Sequence, residues 1–232
     1  MLYTNKMDQE RGKMQVATDA VVFTVEHDIL KILLIKRKNQ PFQGKFALPG
    51  GFVNPNEEFE DAVKRELFEE TNVKNIFVKQ IGAYGNVNRD PRSRIVSIAF
   101  IALISPEQTL EAATDAEKVT WVPINDLPEL GFDHKKIIND ALEILKFEIQ
   151  TTNIAREILS IEFTLSNLQS LYESILERKL DKRNFRKKIK ELDIIKETGR
   201  DYREGAHRPA MLYKFKNKEY ENLKDKMHVL LS

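Results

Sequence analysis

Apolar and polar positions follow two different periods along this chain, and the places where one gives way to the other set out its elements. Val16 to Val25 and Lys31 to Ile35 are apolar, β-branched runs separated by Glu26-His27-Asp28, which predicts a hairpin. Phe77 to Ala83, Arg94 to Ile104 and Val119 to Val122 read as further strands. A period near 100° per residue puts Phe59, Ala62, Val63 and Leu67 on one stripe of a helix, and Ile137, Ile138, Ala141, Leu142 and Leu145 on one face of a second helix that ends near Ile149. Strands around a long internal helix predict a mixed α/β layer. From about Thr151 the pattern shifts to short helices and then two strands. Thr164-Leu165-Ser166 offers a polar cap before Leu168, Leu171, Tyr172 and Ile175, and Asp181 caps a helix buried through Phe185, Ile189 and Leu192. Ile194-Ile195 and Ala210 to Phe215 read as a wing with a loop from Gly199 to Pro209 between them. The expected fold class is α/β (α+β): a mixed-sheet domain over residues 1–150 and a winged helix over residues 151–232.

Composition narrows the setting. Of 232 residues, 41% are hydrophobic and 31% charged, as in ordinary soluble domains. No apolar run approaches a membrane span, and Met1 to Met14 lacks the regions of a signal peptide, so a cytoplasmic protein with no membrane association is expected. The absence of cysteine excludes disulfides, thiolate metal sites and a cysteine nucleophile. Net charge is +1 in total but uneven: residues 151–232 hold 18 Lys+Arg against 13 Asp+Glu, leaving 19 against 23 for residues 1–150. An acidic module joined to a basic one suggests a small-molecule site coupled to a polyanion.

The chemistry concentrates between Gly51 and Val73. There Glu66, Glu69 and Glu70 continue the apolar stripe of the helix, so its inward face turns acidic halfway along. Carboxylates brought together this way repel unless a cation holds them, and hard oxygen donors suit Mg²⁺ or Mn²⁺. The plainer alternative is a solvated acidic helix. Paired glycines at Gly50 and Gly51 allow the main chain to approach a phosphate or a metal closely.

Gly51, Glu57, Arg65, Glu66, Leu67, Glu69, Glu70 and Val73 stand at the fixed positions of the Nudix box, Gx5Ex7REUxEExGU, and this stretch closely resembles it. The final glycine of the pattern is Asn72 here, the residue next best suited to a left-handed helix C-cap. The resemblance implies an α/β/α sandwich in which Glu66, Glu69 and Glu70 bind metals that bridge a diphosphate, with Glu57 and Arg65 orienting the set. Electrostatic stabilisation of the leaving phosphate would drive hydrolysis. Asn88-Arg89-Asp90-Pro91-Arg92 and Phe132-Asp133-His134 further resemble the ADP-ribose pyrophosphatase branch of the family. Arg89 and Arg92 could hold a pyrophosphate by forked hydrogen bonds, or form only a charged hairpin loop. Asp115 and Glu117 are placed to supply a further carboxylate as base, or are loop surface. Phe46 reads as core or pocket wall, and His134 as a helix-start or packing residue.

In the second module, Lys182, Arg183, Arg186, Lys187 and Lys190 lie off the buried stripe of their helix, and Arg200, Arg203, His207 and Arg208 fall in the wing loop. A basic helix beside a basic hairpin can grip phosphates on both sides of a groove, whereas a solvated lysine face on a protein-interaction module would look similar. Asp181 to Leu192 and His207 to Phe215 resemble the C-terminal domain of Nudix-related transcriptional regulators of bacteria. That resemblance implies a homodimer on palindromic double-stranded operator DNA, with ADP-ribose, a related nucleotide or a sugar as effector. Three functions stand open: a sensor-regulator, a Mg²⁺-dependent ADP-ribose-type hydrolase with a basic accessory domain, and a protein that is both.

Overall fold

The computed structural model describes residues 13–74, 76–106, 119–203, 209–217 and 219–223. The two long hairpin strands are β1 (Gln15–Glu26) and β2 (Ile29–Lys36), joined where His27 and Asp28 take positive φ. Short strands β3 (Phe46–Ala47) and β4 (Gly50–Phe52) lead into helix α1 (Phe59–Thr71), followed by β5 (Phe77–Tyr84), β6 (Ile95–Leu103), β7 (Val119–Pro123) and helix α2 (His134–Thr151). Among the described residues these strands form one sheet with the path β3-β2-β1-β6-β5, while β4 pairs with β1 and β7 with β2. The β1–β6 pairing is parallel and the others antiparallel.

Alternation along β1 divides its side chains between two layers. Ala20 and Val22 pack with Val63 and Leu67 of α1, and Val21 and Phe23 pack with Ile137, Ile138, Ala141 and Leu145 of α2. This is the expected α/β/α sandwich. Phe59, expected in the buried stripe of α1, is instead 40% exposed: it is the first residue of the helix, and packing begins at Ala62. Asn72 closes α1 at φ 59°, as its left-handed C-cap.

The apolar layer on the α2 side continues without a break into the second module, taking in Ile154, Phe163, Leu168, Tyr172, Phe185 and Tyr213. Here β8 (Phe163–Thr164) precedes helix α3 (Leu165–Leu176), helix α4 (Lys182–Glu191), β9 (Ile195–Tyr202) and β10 (Ala210–Phe215). Thr164 forms a capping box with Asn167, and the Asp181 side chain accepts the Asn184 N–H at 2.8 Å, so both helix starts lie where the caps predict. The three strands order as β8-β10-β9. The wing departs from expectation in one respect: β9 runs on to Tyr202, so Gly199 and Arg200 belong to a strand rather than to the loop. Residues 204–208 lie outside the described residues.

Candidate functional site

Strand β4 sets the acidic site against β1. Its register places Gly50 opposite Asp19 and Gly51 opposite Thr18. A Cβ on Gly50, whose φ is +153°, would lie 2.1 Å from the Thr18 carbonyl oxygen, so only glycine lets β4 lie this close. A Cβ on Gly51 would meet the Glu66 carboxylate at 2.3 Å, so the Glu66 carboxylate sits where a side chain would otherwise be. Burial pushes the Glu66 carboxyl up, against the opposing effect of its Arg65 hydrogen bond. Glu70 accepts the Gly50 N–H at 3.1 Å.

Arg65 organises this set. Its Nε and Nη2 donate to the two oxygens of Glu57 at 2.6 and 2.9 Å, Nη1 to Glu66 at 2.7 Å and Glu69 at 3.3 Å, and Nη2 also to the Phe52 carbonyl at 3.1 Å. The bond from Arg65, then the Asn54 N–H, hold the Glu57 carboxyl down at about 2. The donor chemistry and the notch at Gly51 fit a hard divalent cation. As placed, Arg65 holds Glu66 and Glu69 and the Gly50 N–H holds Glu70, and among the described residues no three acidic or imidazole groups surround a common point. A cation would therefore have to draw Glu66 and Glu69 off Arg65.

Beside this site, Phe42, Tyr84, Asn86, Asn88, Arg89 and Phe132 are among the residues lining a cavity of about 740 Å³. Arg89 does not offer the free fork expected of it. It is 7% exposed, and its guanidinium is spent on Asp133, at 2.8 to 3.2 Å, and on Asp19 at 3.2 Å. Asp19 is the buried hub of a network that joins it also to Ser97 and, at 3.4 Å, to His134 Nε2. His134 starts α2 and its Nδ1 accepts the Leu48 N–H at 2.9 Å, in keeping with a structural role. Arg92 does reach the surface: it is paired bidentately with Asp90 at 3.0 and 2.7 Å and 43% exposed in its side chain. Phe46 is half-buried against the core. Asp115 and Glu117 lie outside the described residues.

Sequence reasoning missed Asp19 and Arg37. A lone carboxylate inside the apolar run Val16 to Val25 was the available signal for Asp19. Arg37, between Lys36 and Lys38, reads as ordinary charge at a strand end, yet its guanidinium lies 4.9 Å from the Phe132 ring centre.

On the second module, Lys182, Arg183, Lys187 and Lys190 stand exposed along α4, and Arg203 is exposed just beyond β9. Arg186 differs from the others in being half-buried and donating to Ser166 Oγ at 3.2 Å, at the start of α3. Lys188 is buried at 8%. Arg208 lies outside the described residues.

Fold and site together define an α/β/α layer with an acidic box, joined to a winged helix with a basic face. Residues 13–141 match the NUDIX domain family and residues 155–215 the NrtR DNA-binding winged helix domain, so the chain belongs to the Nudix family in the form that carries an NrtR winged helix. Nudix hydrolases in general use divalent metal ions. The ADPR responsive transcriptional repressor NtrR of Acinetobacter baylyi is 32% identical over 89% of this chain and 84% of its own length. Shewanella oneidensis NrtR, crystallised with a 27mer DNA, superposes with a TM-score of 0.76 at 32% identity, covering 92% of this chain and 96% of that one. The ADP-ribose pyrophosphatase of Methanocaldococcus jannaschii is 47% identical over 54% of this chain and 71% of its own length.

Proposed function

We propose that this chain is a cytoplasmic, ligand-responsive transcriptional regulator whose Nudix domain senses an ADP-ribose-like nucleotide and whose winged helix binds operator DNA. The observation that carries the reading is the apolar layer running from β1 and α2 into α3, α4 and β10, which makes sensor and basic helix one packed body. The likeness along nearly the whole chain to an ADPR-responsive repressor and to an NrtR crystallised with DNA supports it. No helix among the described residues is long and apolar enough to cross a membrane. We take residues 1–150 as the sensor domain and residues 151–232 as the winged helix, a division supported by the end of α2 at Thr151.

Roles follow from position. Glu66, Glu69 and Glu70 would hold Mg²⁺ or Mn²⁺, with Glu57 holding Arg65 so that the arginine keeps Glu66 and Glu69 ordered, and the Gly50 N–H keeps Glu70 ordered, until metal arrives. The bound metal would supply charge neutralisation and polarisation for a diphosphate. Gly50 and Gly51 admit the ligand to the main chain, and Arg92 contacts its phosphates, while Arg89 positions Asp19 and Asp133 rather than the ligand. Lys182, Arg183, Lys187, Lys190, Arg203 and Arg208 contact DNA phosphates and base edges, and Arg186 braces α4 against α3 beside them. A homodimer would set two such helices about one DNA turn apart, roughly 34 Å.

A second reading is favoured by the 47% identity to an ADP-ribose pyrophosphatase and by the retained Glu57, Arg65, Glu66, Glu69 and Glu70: the same pocket hydrolyses its effector, with Glu117 as the candidate base. One experiment separates them. Duplexes selected from a random library on the full chain are challenged with ADP-ribose, with and without Mg²⁺, while AMP is followed. Release of DNA without AMP gives the sensor, and release that reverses as AMP accumulates gives the sensor that consumes its effector. No enrichment of any duplex removes the regulator.

A further inference from the structure

The chain that leaves the wing returns to the sensor module. Residues 219–223 run beside the C-terminal end of α2: Thr152 and Asn222 form an antiparallel bridge, the Leu223 N–H donates to the Thr151 carbonyl at 2.7 Å, and Asn153 Nδ2 donates to the Glu219 carbonyl at 2.9 Å. Leu223 is buried in the core that sensor and winged helix share. These bonds use the main chain of the segment, so its position follows that of α2. Tyr220 reaches past α2 to the sheet. Its hydroxyl accepts from the Lys79 ammonium of β5 at 2.8 Å and donates to Glu148 of α2, and its ring stacks on Phe77 of β5 at 5.7 Å.

The same two elements, β5 and α2, also meet at the cavity. There the Tyr84 hydroxyl of β5 donates to Asp140 of α2 at 3.0 Å, Lys136 holds Asp140 at 2.6 Å, and all three line the 740 Å³ cavity. Sheet and helix are thus tied at two places, one in the cavity wall and one under Tyr220. Between the ties the two elements differ in stiffness. Helix α2 is continuous, and from Asp140 to Glu148 it rises about 12 Å, at about 1.5 Å per residue, so a shift at one tie reaches the other. Strand β5 is interrupted: its register with β6 shifts between Gln80 and Gly82, which puts the cavity end and the Lys79 end on opposite sides of an irregularity. A ligand that takes the Asp140 carboxylate or the Tyr84 hydroxyl loosens the first tie, and α2 then shears as a rod against the Lys79 end of the sheet. Glu148, Lys79 and Tyr220 meet where that movement has to be taken up.

We propose that residues 219–223 form a strap that carries occupation of the cavity to the wing, with Tyr220 as its coupling residue. Movement of α2 against β5 pulls the strap two ways, because its main chain follows α2 while Tyr220 is held by Lys79 and Phe77. Tyr220 stands five positions beyond Phe215, the last residue of β10, and between them the Lys216 N–H donates to the Ile194 carbonyl at 2.9 Å, at the start of β9. The pull therefore arrives where the two wing strands join the end of α4. This route bypasses the direct α2–α3 contact of Lys146 with Glu177 at 2.8 Å. The inference rests on the reading of the cavity as the effector site, and it adds the path from that site to the DNA-binding elements.

The test uses Tyr220→Phe, which keeps the ring and removes only the hydroxyl. Fluorescence anisotropy of the full chain on a duplex selected from the random library, with and without saturating ADP-ribose, gives the factor by which the effector changes DNA affinity. Coupling between two sites commonly amounts to about 5–150-fold, and Tyr220→Phe should move the factor at least about threefold towards one. DNA affinity without effector, and ADP-ribose affinity without DNA read by calorimetry, should both stay within about twofold of the unaltered chain, which a residue that merely supports the fold would not allow. Thermal melts report folding, and Lys79→Gln, which removes the hydroxyl's partner on the sheet, carries the test with the same expectation if Tyr220→Phe is not folded. An unchanged factor in folded Tyr220→Phe overturns the inference, as does loss of DNA affinity without effector, which would make Tyr220 a brace of the wing. Failure of the effector reading shows in the unaltered chain instead: if ADP-ribose leaves its DNA affinity unchanged, there is no signal to carry and both fall.

Discussion

Lys79 of β5 donates to Glu148 of α2 at 2.7 Å, and both side chains meet the hydroxyl of Tyr220, from the segment that follows the wing. Tyr220 also stacks on Phe77 at 5.7 Å. Asn153 ties the same segment down through Glu219 at 2.9 Å and Glu221 at 3.1 and 2.7 Å, and Leu223 is buried at 1%. The chain leaving β10 is thus clasped to the two elements, β5 and α2, that also line the sensor cavity through Tyr84, Lys136 and Asp140.

Glu148→Ala breaks this clasp at its most buried member, 8% exposed in its side chain, and strands the Lys79 ammonium and the Tyr220 hydroxyl. Removing one partner of a buried charged pair leaves the others to bear their desolvation, at a cost of about 2–4 kcal/mol. Urea unfolding should show the loss as a lower midpoint at unchanged slope. A midpoint equal to that of the unaltered protein would show that the clasp adds nothing to stability.

The two glycines at the site should respond in opposite ways to alanine. At Gly50 the new Cβ meets main chain at a left-handed φ, so Gly50→Ala should cost several kcal/mol, by roughly the scale of strained backbone and overpacking combined. At Gly51 the obstacle is the mobile end of Glu66, so Gly51→Ala should fold with a stability within about 1 kcal/mol of the original while displacing that carboxylate. Its Mg²⁺ affinity, read by calorimetry, should fall about tenfold or more. Normal Mg²⁺ binding in Gly51→Ala would remove Glu66 from the metal set.

The elements that local chemistry dictates were readable from residues alone. The caps at Thr164, Asp181 and Asn72 and the alternation along β1 fall where the pattern puts them, because each depends on neighbours within a few positions. The box could be read for the same reason, its spacing being that of one helix. What escaped depends on distant partners. Arg89 reads as a surface cation until β1 brings Asp19 and the start of α2 brings Asp133 to it. Arg37 reads as one of three strand-end charges until Phe132, almost a hundred positions on, is folded beneath it. The long β9 was missed because Glu197 to Tyr202, all exposed except Thr198, carry no apolar alternation.

Asp19 ties acid stability to the same network. Burial raises its carboxyl, but His134, Ser97 and Arg89 together outweigh that and bring it down from 3.8 to about 2. A depressed carboxyl stabilises the fold above its unfolded value and loses that contribution as pH falls towards the folded one. The contribution, on the order of 2 kcal/mol for this buried group, should be complete above about pH 5 and decline from about pH 4 towards 2. Comparison with Asp19→Asn isolates it from the other carboxylates: the stability gap between the two proteins should narrow over that interval. A gap that stays constant from pH 6 to pH 3 would show that Asp19 is not held in its charged form by the fold.

The basic helix makes the last prediction, and the structure divides its residues into two kinds. Lys187 is exposed, and among the described residues its one ion pair is a 3.9 Å approach to Glu191, which leaves its ammonium accessible to a phosphate. Arg186 is half-buried, bonded to Ser166, and has its Nε shielded from solvent without a hydrogen-bond partner among the described residues. Lys187→Ala should weaken DNA binding evenly across sequences and reduce the slope of log K against log salt by about 0.9, with no change in melting temperature. Arg186→Ala should lower the melting temperature as well, since it frees α4 from the start of α3, and it should alter sequence preference if the brace sets the angle of α4 in the groove. Fluorescence anisotropy at three salt concentrations and a melt of each variant decide the matter. An unchanged slope for Lys187→Ala would take the outer face of α4 out of the DNA interface, and an unchanged melt for Arg186→Ala would show that its contact with Ser166 does not hold the two helices together.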